Sequence, residues 1–581
     1  MMNSRRYGFY GYLLPHWTLA AMVLLLSGIS ASLLAISPFF AKLTIDNAYG
    51  KKDIGMFFIY ASIGVVLFLA SSLLDFARTN ISRLLNRKVY FDLSADLFKH
   101  IQLLHYGFHA NRSSGEYIYR VRNDTEAITS FLCDQIPRLP VILLRFLITI
   151  AAIFYLNWKL ALLTLMLVPV SYAHSYLTVK WMKGTSKARL TALQQLFKVL
   201  HESFSHIHLI KSFGSERGEA ERYEAILNDV VAAEIRDTKT SSIFSLFGVV
   251  LNRAMSGVII LYGVYQIIRQ EMTFGSLAAI AIYVAQVLGI LKSMYDFYQG
   301  VVINKVTRDR VNDILAVRPA IVDSPDSIGH IFTEGVIELR GVSFRYRKES
   351  IVLKDLEFRV MPRSKVALVG RSGSGKTTIL SLISRLYDPE KGSVVIDGVD
   401  IKKIKLEKLK SQMGIALQQA YLWNDTIANN ILYGGKGAGM EDAIKAARIA
   451  EAHKFIMNLK DGYNTIIGEA GGCLSEGQKQ RVAIARAIIA RPRILILDEA
   501  MSSLDSETED KVIDNIMREF KDSTIIVVSH RLSTVEKMET VYLLMNGSII
   551  ESGTHEALLN RDPRYNELFS TQIKGEIYEC S

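Results

Sequence analysis

The sequence contains very little cysteine, the residue that crosslinks small secreted domains and binds zinc in many small metal-binding domains. Only 3 of its 581 residues are cysteine. These residues, Cys133, Cys473 and Cys580, are odd in number, widely spaced and without a metal-ligand pattern, which argues against a disulfide framework and against a zinc site. The cysteines therefore fit a protein exposed to a reducing cytoplasm.

The amino-terminal region lacks the small-residue cleavage site of a secretory signal peptide. Basic residues between Met1 and Arg6 precede an apolar run that is longer than the core of such a peptide. We therefore expect this run to be retained as a first membrane helix.

Charged side chains are almost missing from six segments of the first 300 residues. Residues 18–41, 54–74 and 272–291 contain none, and residues 139–158, 160–179 and 241–268 contain at most one Arg or His each. A helix needs about 20 mostly apolar residues to cross the hydrocarbon, where every backbone polar group must be bonded internally. We therefore predict six membrane-spanning helices.

The connections between these segments alternate in length. The long connections, residues 75–138 and 180–240, contain nine and ten Lys and Arg residues, against four in the short connections. The tendency of positive residues to stay inside places the long connections in the cytoplasm, where their helical patterning predicts arms that continue the spans. The net charge of +11 is thereby explained without nucleic acid. We predict a multi-pass protein of the cytoplasmic (inner) membrane.

Four charged residues lie within or beside the predicted spans, namely Arg145, Arg253, Lys292 and Asp296. A charge inside the bilayer is costly, so each should face a cavity or a partner rather than lipid. Contact with a polar substrate group, an ion pair between helices and a snorkelling side chain all remain open. Arg145 is the best candidate for substrate contact.

From Gly335 the pattern changes to short β-rich segments alternating with helices, which is typical of an α/β nucleotide-binding domain. The predicted strand Lys365 to Val369 leads directly into a glycine-rich loop followed by a helix. Such a loop curls backbone N–H groups around phosphate oxygens, while its lysine binds the β- and γ-phosphates and its hydroxyl binds Mg²⁺. The predicted phosphate-binding residues are Gly370, Arg371, Ser372, Gly373, Ser374, Gly375, Lys376, Thr377 and Thr378. We predict a membrane domain over residues 1–320 and a nucleotide-binding domain over residues 330–575.

Two adjacent carboxylates follow a second apolar strand, Ile494 to Leu497. Side chains alternate along a strand, so Asp498 and Glu499 must point in different directions. Asp498 is predicted to hold the magnesium ion, and Glu499 to polarise the attacking water.

Between these motifs, the segment Leu474, Ser475, Glu476, Gly477, Gln478 resembles the signature of the ATP-binding cassette (ABC) transporters. The resemblance extends over essentially the whole chain, because six spans with long cytoplasmic arms ahead of one cassette resemble a lipid or multidrug half-transporter of the exporter type. It implies an all-α six-helix membrane domain with cytoplasmic helical extensions, fused to an α/β cassette with a P-loop.

Further residues match this family by position. Tyr346 resembles the aromatic residue that stacks on adenine, Gln418 the glutamine that senses magnesium and the γ-phosphate, Asp505 the aspartate of the loop between subunits, and His530 the switch histidine. The resemblance thus implies catalytic roles for Glu499, His530 and Lys376 and magnesium ligands Thr377, Gln418 and Asp498. It also implies that Ser475, Gly477 and Gln478 complete the phosphate site of another subunit.

Three segments outside the ATP site also resemble the family. Residues 465–471 resemble the exporter-specific segment before the signature. Gly115, Arg120 and Asp124 fall where the family has its first coupling helix, and residues 212–217 fall near the second. An ordinary solvated loop is the alternative for both coupling positions.

The sequence departs from the family pattern at the signature and beside Gln418. Glu476 replaces the usual glycine, and Leu417 and Gln419 replace the usual proline and acidic residue. The added charge of Glu476 near a partner's ATP makes slower hydrolysis or an asymmetric partner possible.

The resemblance implies an ATP hydrolase that exports or flips a hydrophobic or amphipathic substrate, such as a lipid or drug, by alternating access. It requires ATP, Mg²⁺, membrane lipids and a second half-transporter. A homodimer is favoured because one chain supplies every element of a competent site. Open alternatives are an importer on the exporter fold, as in some siderophore systems, and a peptide exporter. A nucleic-acid ATPase and a gated channel belong to other classes, and we expect no nucleic acid partner.

Overall fold

The computed structural model describes residues 8–50, 52–110, 112, 114–347, 350–468 and 472–569. The chain divides into two compact units. One unit consists of Met1–Gln102 and Ser114–Ala316, and the other of Leu103–Ser113 and Val317–Ser581.

The first unit is entirely helical in its described part, and six of its helical segments are long and apolar enough to cross a membrane. The α-helices from the amino terminus to residue 315 are α1 (Trp17–Ile45), α2 (Ile54–Leu103), α3 (Tyr106–Ala110), α4 (Ser114–Tyr119), α5 (Thr125–Ser130), α6 (Ile136–Leu156), α7 (Trp158–Ser205), α8 (Ile207–Phe213), α9 (Glu216–Ile268) and α10 (Phe274–Leu315). The six predicted spans are confirmed.

The predicted arms are continuations of these spans. Helices α2, α7 and α9 contain 50, 48 and 53 residues. At 1.5 Å per residue, a helix of this length measures about 75 Å, more than twice the roughly 30 Å of hydrocarbon. The helices must therefore extend well beyond the bilayer.

The helical segment Gly115–Leu156 contains two π-helical turns, Arg120–Asp124 and Phe131–Gln135, ahead of the third span. The second turn packs on α10, where the ring of Phe131 stacks on Phe297 at a centroid distance of 6.0 Å. A Cβ atom at Gly300 would overlap the Gln135 side chain. Gly300 therefore allows α10 to approach the π-turn closely.

The second unit contains two sheets. Its strands are β1 (Ile337–Arg347), β2 (Ser350–Val360), β3 (Lys365–Val369), β4 (Lys391–Ile396), β5 (Val399–Asp400), β6 (Met413–Ala416), β7 (Ile494–Asp498), β8 (Thr524–Val528), β9 (Thr540–Met545) and β10 (Ser548–Gly553). A four-stranded antiparallel sheet has the order β2-β1-β4-β5, and a six-stranded sheet has the order β10-β9-β3-β8-β7-β6. In the six-stranded sheet only the β10–β9 pair is antiparallel.

Helices cover the six-stranded sheet. They are α11 (Lys376–Ile383), α12 (Leu406–Ser411), α13 (Ile427–Leu432), α14 (Met440–Ile449), α15 (His453–Met457), α16 (Glu476–Ile488), α17 (Ser506–Glu519), α18 (Leu532–Glu536) and α19 (His555–Arg561). Alternate residues of the buried strands belong to two different cores. In β7, Leu495 and Leu497 belong to the core with α14, α16 and α17, whereas Ile494 and Ile496 belong to the core with β1 and β2. The apolar run of β7 is thus explained by burial of both faces.

The turn between α2 and α4 belongs to the second unit. The ring of Tyr106 contacts Tyr387 edge to face at a centroid distance of 5.9 Å. A Cβ atom at Gly107 would lie 2.9 Å from Cε1 of Tyr387. Within the second unit, α3 therefore packs on Tyr387.

The expected first coupling position, at Gly115, Arg120 and Asp124, lies too far along the chain. These residues belong to the first unit. There Asp124 is buried and accepts a hydrogen bond from Arg310 at 2.7 Å, and Arg120 donates to the Arg310 carbonyl oxygen at 2.6 Å. Their charges hold the π-turn to α10. The expected exporter segment, residues 465–471, is described only as far as Gly468.

Close packing of β6 on α16 leads to a stability prediction. A Cβ atom at Gly414 would overlap the Ala487 carbonyl oxygen and lie 2.8 Å from Pro492 Cγ. Overpacking costs about 1–3 kcal/mol, and 1 kcal/mol is worth about 2–4 °C in a domain of this size. We expect Gly414→Ala to lower the apparent unfolding temperature of the full-length protein in detergent by about 5 °C.

The control is Gly329→Ala, whose new Cβ would meet only Lys408 Cγ at 4.0 Å. Equal unfolding temperatures for the two variants at one heating rate would contradict the packing of β6 on α16.

A candidate nucleotide site at the carboxyl edge of the six-stranded sheet

The loop between β3 and α11 is shaped by three glycines with positive φ angles. Gly370, Gly373 and Gly375 have φ values of +154°, +79° and +109°. A Cβ atom at Gly370 would overlap the Leu544 carbonyl oxygen, whereas one at Gly373 would meet no atom within 4 Å. The loop therefore leaves open space in front of the amino terminus of α11, where free N–H groups favour an anion.

Lys376 is the first residue of α11, and its side chain turns back onto this loop. Its buried Nζ donates to the Gly370 and Arg371 carbonyl oxygens at 2.6 and 3.2 Å. Burial lowers the pKa of the ammonium, and the nearby carboxylates of Glu499 and Asp498 act in the opposite direction. The structure thus places the predicted phosphate-binding lysine beside both predicted catalytic-site carboxylates.

Asp498 ends β7 and is almost fully buried. Burial raises the pKa of its carboxyl, and a hydrogen bond with the Thr377 side chain acts to lower it. The adjacent Ser374 hydroxyl is buried without a hydrogen-bond partner among the described residues. A hydroxyl and a carboxylate beside a phosphate cradle are the oxygen donors that Mg²⁺ prefers. The donor set at Thr377 and Asp498 therefore fits that ion.

Glu499 is held in a different direction from Asp498. Its φ of +48° is uncommon for a residue with a side chain, and its N–H donates to the Val528 carbonyl oxygen at 3.0 Å. One carboxylate oxygen accepts a hydrogen bond from Gln418 at 2.8 Å, and the other lies 3.2 Å from His530 Nε2. Three residues predicted from separate parts of the sequence thus meet at one carboxylate.

Tyr346 is half exposed beside this loop. Its hydroxyl lies 3.0 Å from the Thr378 hydroxyl, and its ring contacts Tyr387 edge to face at 5.2 Å. Tyr387 was missed in the sequence because no local pattern distinguishes it from other aromatic residues of a core. It contacts both Tyr346 and Tyr106.

The signature segment forms the amino terminus of α16. Ser475 Oγ accepts a hydrogen bond from the Gln478 N–H at 3.3 Å, and Gln478 Oε1 accepts one from the Ser475 N–H at 3.0 Å. A Cβ atom at Gly477 would lie 2.9 Å from the Ser503 carbonyl oxygen. Glu476 is an exposed residue that pairs with Lys479 at 3.4 Å. Within the described part of the chain, no hydrogen bond joins this segment to the loop at residues 370–378.

Gln480 connects the signature helix to the segment at Gln418 and to the loop that precedes Asp505. Its buried side chain donates to the Ser502 hydroxyl at 3.2 Å and accepts from the Ser503 N–H at 3.0 Å. Its amide also lies 3.5 Å from the Gln418 carbonyl oxygen. The sequence shows Gln480 next to the signature, but its contacts depend on the folded chain.

Asp505 caps α17, since its carboxylate accepts a hydrogen bond from the Thr508 N–H at 2.9 Å. That hydrogen bond lowers the pKa of the Asp505 carboxyl. The loop before it is fixed by Arg531, which donates to the Leu504 carbonyl oxygen at 2.7 Å and pairs with the buried Glu509. Neither Arg531 nor Glu509 was predicted from the sequence.

Comparison with known proteins gives one consistent result. The family described as "ABC transporter transmembrane region" matches residues 20–291, and the family described as "ABC transporter" matches residues 353–502. The ATP-dependent lipid A-core flippase of Syntrophus aciditrophicus (strain SB) is 31% identical over 97% of this chain and 93% of its own. The protein YgaD of Bacillus subtilis (strain 168), whose name describes a multidrug export ATP-binding/permease protein, is 34% identical over 90% of each chain.

A solved structure agrees with these relatives. A bacterial Atm1-family ABC exporter with ATP bound superposes with a TM-score of 0.84 at 27% sequence identity, covering 96% of this chain and 98% of its own.

The buried carboxyl of Asp498 leads to a pH prediction. Because burial raises its pKa in the folded state, the unfolded chain gives up this proton at a lower pH than the folded chain does. Stability from this group is therefore lost as pH rises from the ordinary pKa of 3.8 through the raised folded value, and it stays lost at neutral pH. We expect Asp498→Asn to raise the apparent unfolding temperature at pH 8 without nucleotide and Mg²⁺.

The gain in unfolding temperature of Asp498→Asn over wild type should shrink as the pH is lowered toward about 4.5, near the lower limit for the measurement. Asp522→Asn removes a carboxylate with an exposed side chain and serves as the control. An equal advantage for Asp498→Asn at every pH would contradict the interpretation.

Proposed function

The chain belongs to the ATP-binding cassette transporters, and from this membership we propose that two identical copies form its functional unit. It is a multi-pass protein of the inner membrane with its ATPase domain in the cytoplasm, and it couples ATP hydrolysis to the export or flipping of a hydrophobic or amphipathic substrate. The observation that carries the proposed site is the meeting of Gln418, Glu499 and His530 beside the loop that holds Lys376.

In this proposal, the glycine loop and the amino terminus of α11 bind the phosphates. Lys376 exchanges its bonds to loop carbonyl oxygens for bonds to the β- and γ-phosphates, and Tyr346 offers its exposed ring to adenine. Thr377, Asp498 and Gln418 would hold Mg²⁺. When bound, that ion neutralises charge that develops on the phosphate oxygens.

Glu499 is the proposed general base. Its backbone hydrogen bond to Val528 and its side-chain bond to Gln418 fix the carboxylate at the mouth of the loop. It accepts a proton from the attacking water, while His530 positions the carboxylate from the opposite side. Gln418 belongs both to this arrangement and to the proposed magnesium shell, so it can report the state of the γ-phosphate.

The homodimer follows from where the signature lies. Ser475, Gly477 and Gln478 have no hydrogen bond to the phosphate loop within the described part of their own chain, so they are available to the ATP of a second copy. An exposed helix amino terminus suits a phosphate group. Asp505, at the start of α17, lies in the loop that would meet the same segment of the partner. One chain supplies both halves of the interface, so a second gene product is not required.

The proposed substrate is an amphipathic lipid or drug. The names of these two relatives describe a lipid A-core flippase and a multidrug exporter, and both agree with spans rich in apolar residues. Neither name supports the importer alternative or the peptide alternative.

Glu499→Gln tests the hydrolytic site. Glutamine keeps the size of the side chain and can still accept the hydrogen bond from Gln418 but cannot accept a proton from water, so we expect ATP hydrolysis to fall by about 10²–10⁴-fold. Binding of ATP should persist because the phosphate loop is unchanged. Phosphate release from the protein in lipid nanodiscs, with lipids and drugs added as stimulants, measures the first quantity, and equilibrium binding of labelled ATP measures the second.

Glu507→Gln is the matched control, because Glu507 is an exposed residue of α17 that pairs with Lys511. Hydrolysis that survives in Glu499→Gln at the control level would sink the proposed role of Glu499.

Glu476 leads to a separate prediction about the dimer. Its carboxylate would face the triphosphate held by the partner, and an exposed charge interaction of this kind is worth about two- to fivefold in affinity. We expect Glu476→Gln to lower the KM for ATP by about two- to fivefold at low salt, and by less at high salt, where screening weakens the repulsion.

Glu476→Asp keeps the charge and should leave the KM near the wild-type value. A KM that is the same for Glu476→Gln and wild type at low salt would indicate that this residue lies away from the partner's ATP.

A further inference from the structure

The membrane unit contains a cavity of about 610 Å³, a volume typical of small-molecule sites. Residues of α1, α2, α6, α10 and the π-turn at Phe131–Gln135 line it. Four charged residues of the lining, namely Asp75, Arg78, Asp134 and Arg138, lie at the two ends of the connection 75–138. Because the positive residues of this connection place it in the cytoplasm, these four residues mark the cytoplasmic end of the cavity.

Two of the charged pairs in this lining are neutralised within the protein. Arg78 donates to Asp75 at 2.7 Å, and Arg138 donates to both carboxylate oxygens of Asp134 at 2.9 Å. Such pairs need no charge from a ligand.

Arg145 and Asp296 also line the cavity, and they are not neutralised in this way. The buried Nε of Arg145 has no hydrogen-bond partner among the described residues. Within the same part of the chain, Asp296 forms no ion pair and no hydrogen bond. The buried nitrogen of Arg145 is costly to leave without a partner in a membrane-spanning helix, and the carboxylate of the exposed residue Asp296 is accessible to a ligand. These two groups are therefore the ones that a ligand would bind.

The other two charges beside the spans do not line the cavity. Arg253 and Lys292 are exposed on the helices α9 and α10. The structure therefore divides the four charges that the sequence singled out into one oppositely charged pair inside the cavity and two charges outside it.

The serine residues of the wall add a further preference. The hydroxyls of Ser27, Ser71, Ser72 and Ser293 donate to backbone carbonyl oxygens of their own helices. Their donors are used, so they present acceptor oxygens to the cavity. A ligand group that donates hydrogen bonds is thereby favoured.

We propose that this cavity binds a zwitterionic amphiphile whose headgroup contains an anionic group and a primary amine. The proposal rests on the proposed function and specifies the substrate class of the exporter. Arg145 binds the anionic group through a charge-assisted hydrogen bond, and Asp296 with the serine oxygens binds the ammonium. The three Arg and three Asp residues of the lining balance, so a headgroup without net charge leaves every charge of the lining compensated, whereas a purely anionic or purely cationic headgroup leaves one uncompensated.

Binding without ATP tests this proposal. Three amphiphiles with matched alkyl chains are titrated into the full-length protein in a maltoside detergent, and bound species are counted by native mass spectrometry. The amphiphiles are lysophosphatidylethanolamine, lysophosphatidylglycerol and an alkylamine. Since a hydrogen bond to a charged group is worth about tenfold or more in affinity, we expect wild type to bind the zwitterion about tenfold more tightly than either of the others.

Variants assign the two charges. Arg145→Met should weaken binding of both phosphate-containing amphiphiles by about tenfold. Asp296→Asn should weaken binding of the zwitterion and the alkylamine but spare lysophosphatidylglycerol. Arg253→Met and Lys292→Gln remove charges outside the lining and should leave all three affinities unchanged.

Equal affinity of wild type for the zwitterion and lysophosphatidylglycerol would overturn the proposal, even if a cavity variant failed to fold. The proposal would also be overturned if Arg253→Met or Lys292→Gln changed the preference for the zwitterion as much as the two cavity variants do. These outcomes are independent of the hydrolysis measured with Glu499→Gln, so loss of selectivity with intact hydrolysis removes only the substrate class. Intact selectivity in a protein that does not hydrolyse ATP would instead contradict the proposed ATP-driven transport and leave the ligand class standing.

Discussion

Hydrogen bonds between the parallel strands β3, β8 and β7 determine the geometry of the nucleotide site. They bring the carboxyl ends of three buried strands to one edge, where β3 continues into the phosphate loop, β7 ends at Asp498, and β8 ends at the carbonyl group that binds the Glu499 N–H. Without this alignment, residues about 120 positions apart in the chain would not meet. The short strands are rich in Val, Ile and Leu because both of their faces are buried, and this burial keeps their register fixed.

The site at this edge of the sheet contains two ionisable side chains whose charged forms are destabilised by burial. Burial shifts the pKa of Lys376 downward and that of Asp498 upward, so both groups are less stable as ions than they would be in water. In the proposed binding mode, the triphosphate and a magnesium ion would supply the opposite charges for these two groups. Affinity for ATP is thus gained partly from groups that destabilise the protein when it is empty, as is common at sites where stability and function compete.

Local patterns in the sequence predict the helices and strands and the motifs of the proposed site, because each of these features is encoded within one short stretch of the chain. Charge-free segments predict the six spans, and the strand at Lys365 to Val369 has the predicted bounds. The contacts of Gln480, of Arg531 with Glu509, and of Tyr387 join distant segments, and no local spacing encodes such contacts. The turn at α3 was missed for a related reason, since a five-residue helix with a close glycine resembles a solvated loop until its aromatic partner is known. Likewise, the sequence favours Arg145 over Arg253 for substrate contact, but only the packing of α1, α2, α6 and α10 shows that Arg145 lines the cavity and Arg253 does not.

A continuous row of contacts runs from the phosphate loop, through two tyrosine rings, to the turn between α2 and α4. The Tyr346 hydroxyl contacts Thr378 beside the phosphate loop, the Tyr346 ring contacts Tyr387, and Tyr387 contacts Tyr106 in the turn that joins α2 to α4. Gly107 allows this approach because a larger residue would collide with Tyr387. In the proposed binding mode, a nucleotide base on Tyr346 would contact a packed ring system whose last member, Tyr106, follows α2 directly in the chain. Since α2 contributes Asp75 and Arg78 to the cavity lining, the same helix is linked covalently to the nucleotide-side turn and forms part of the cavity wall.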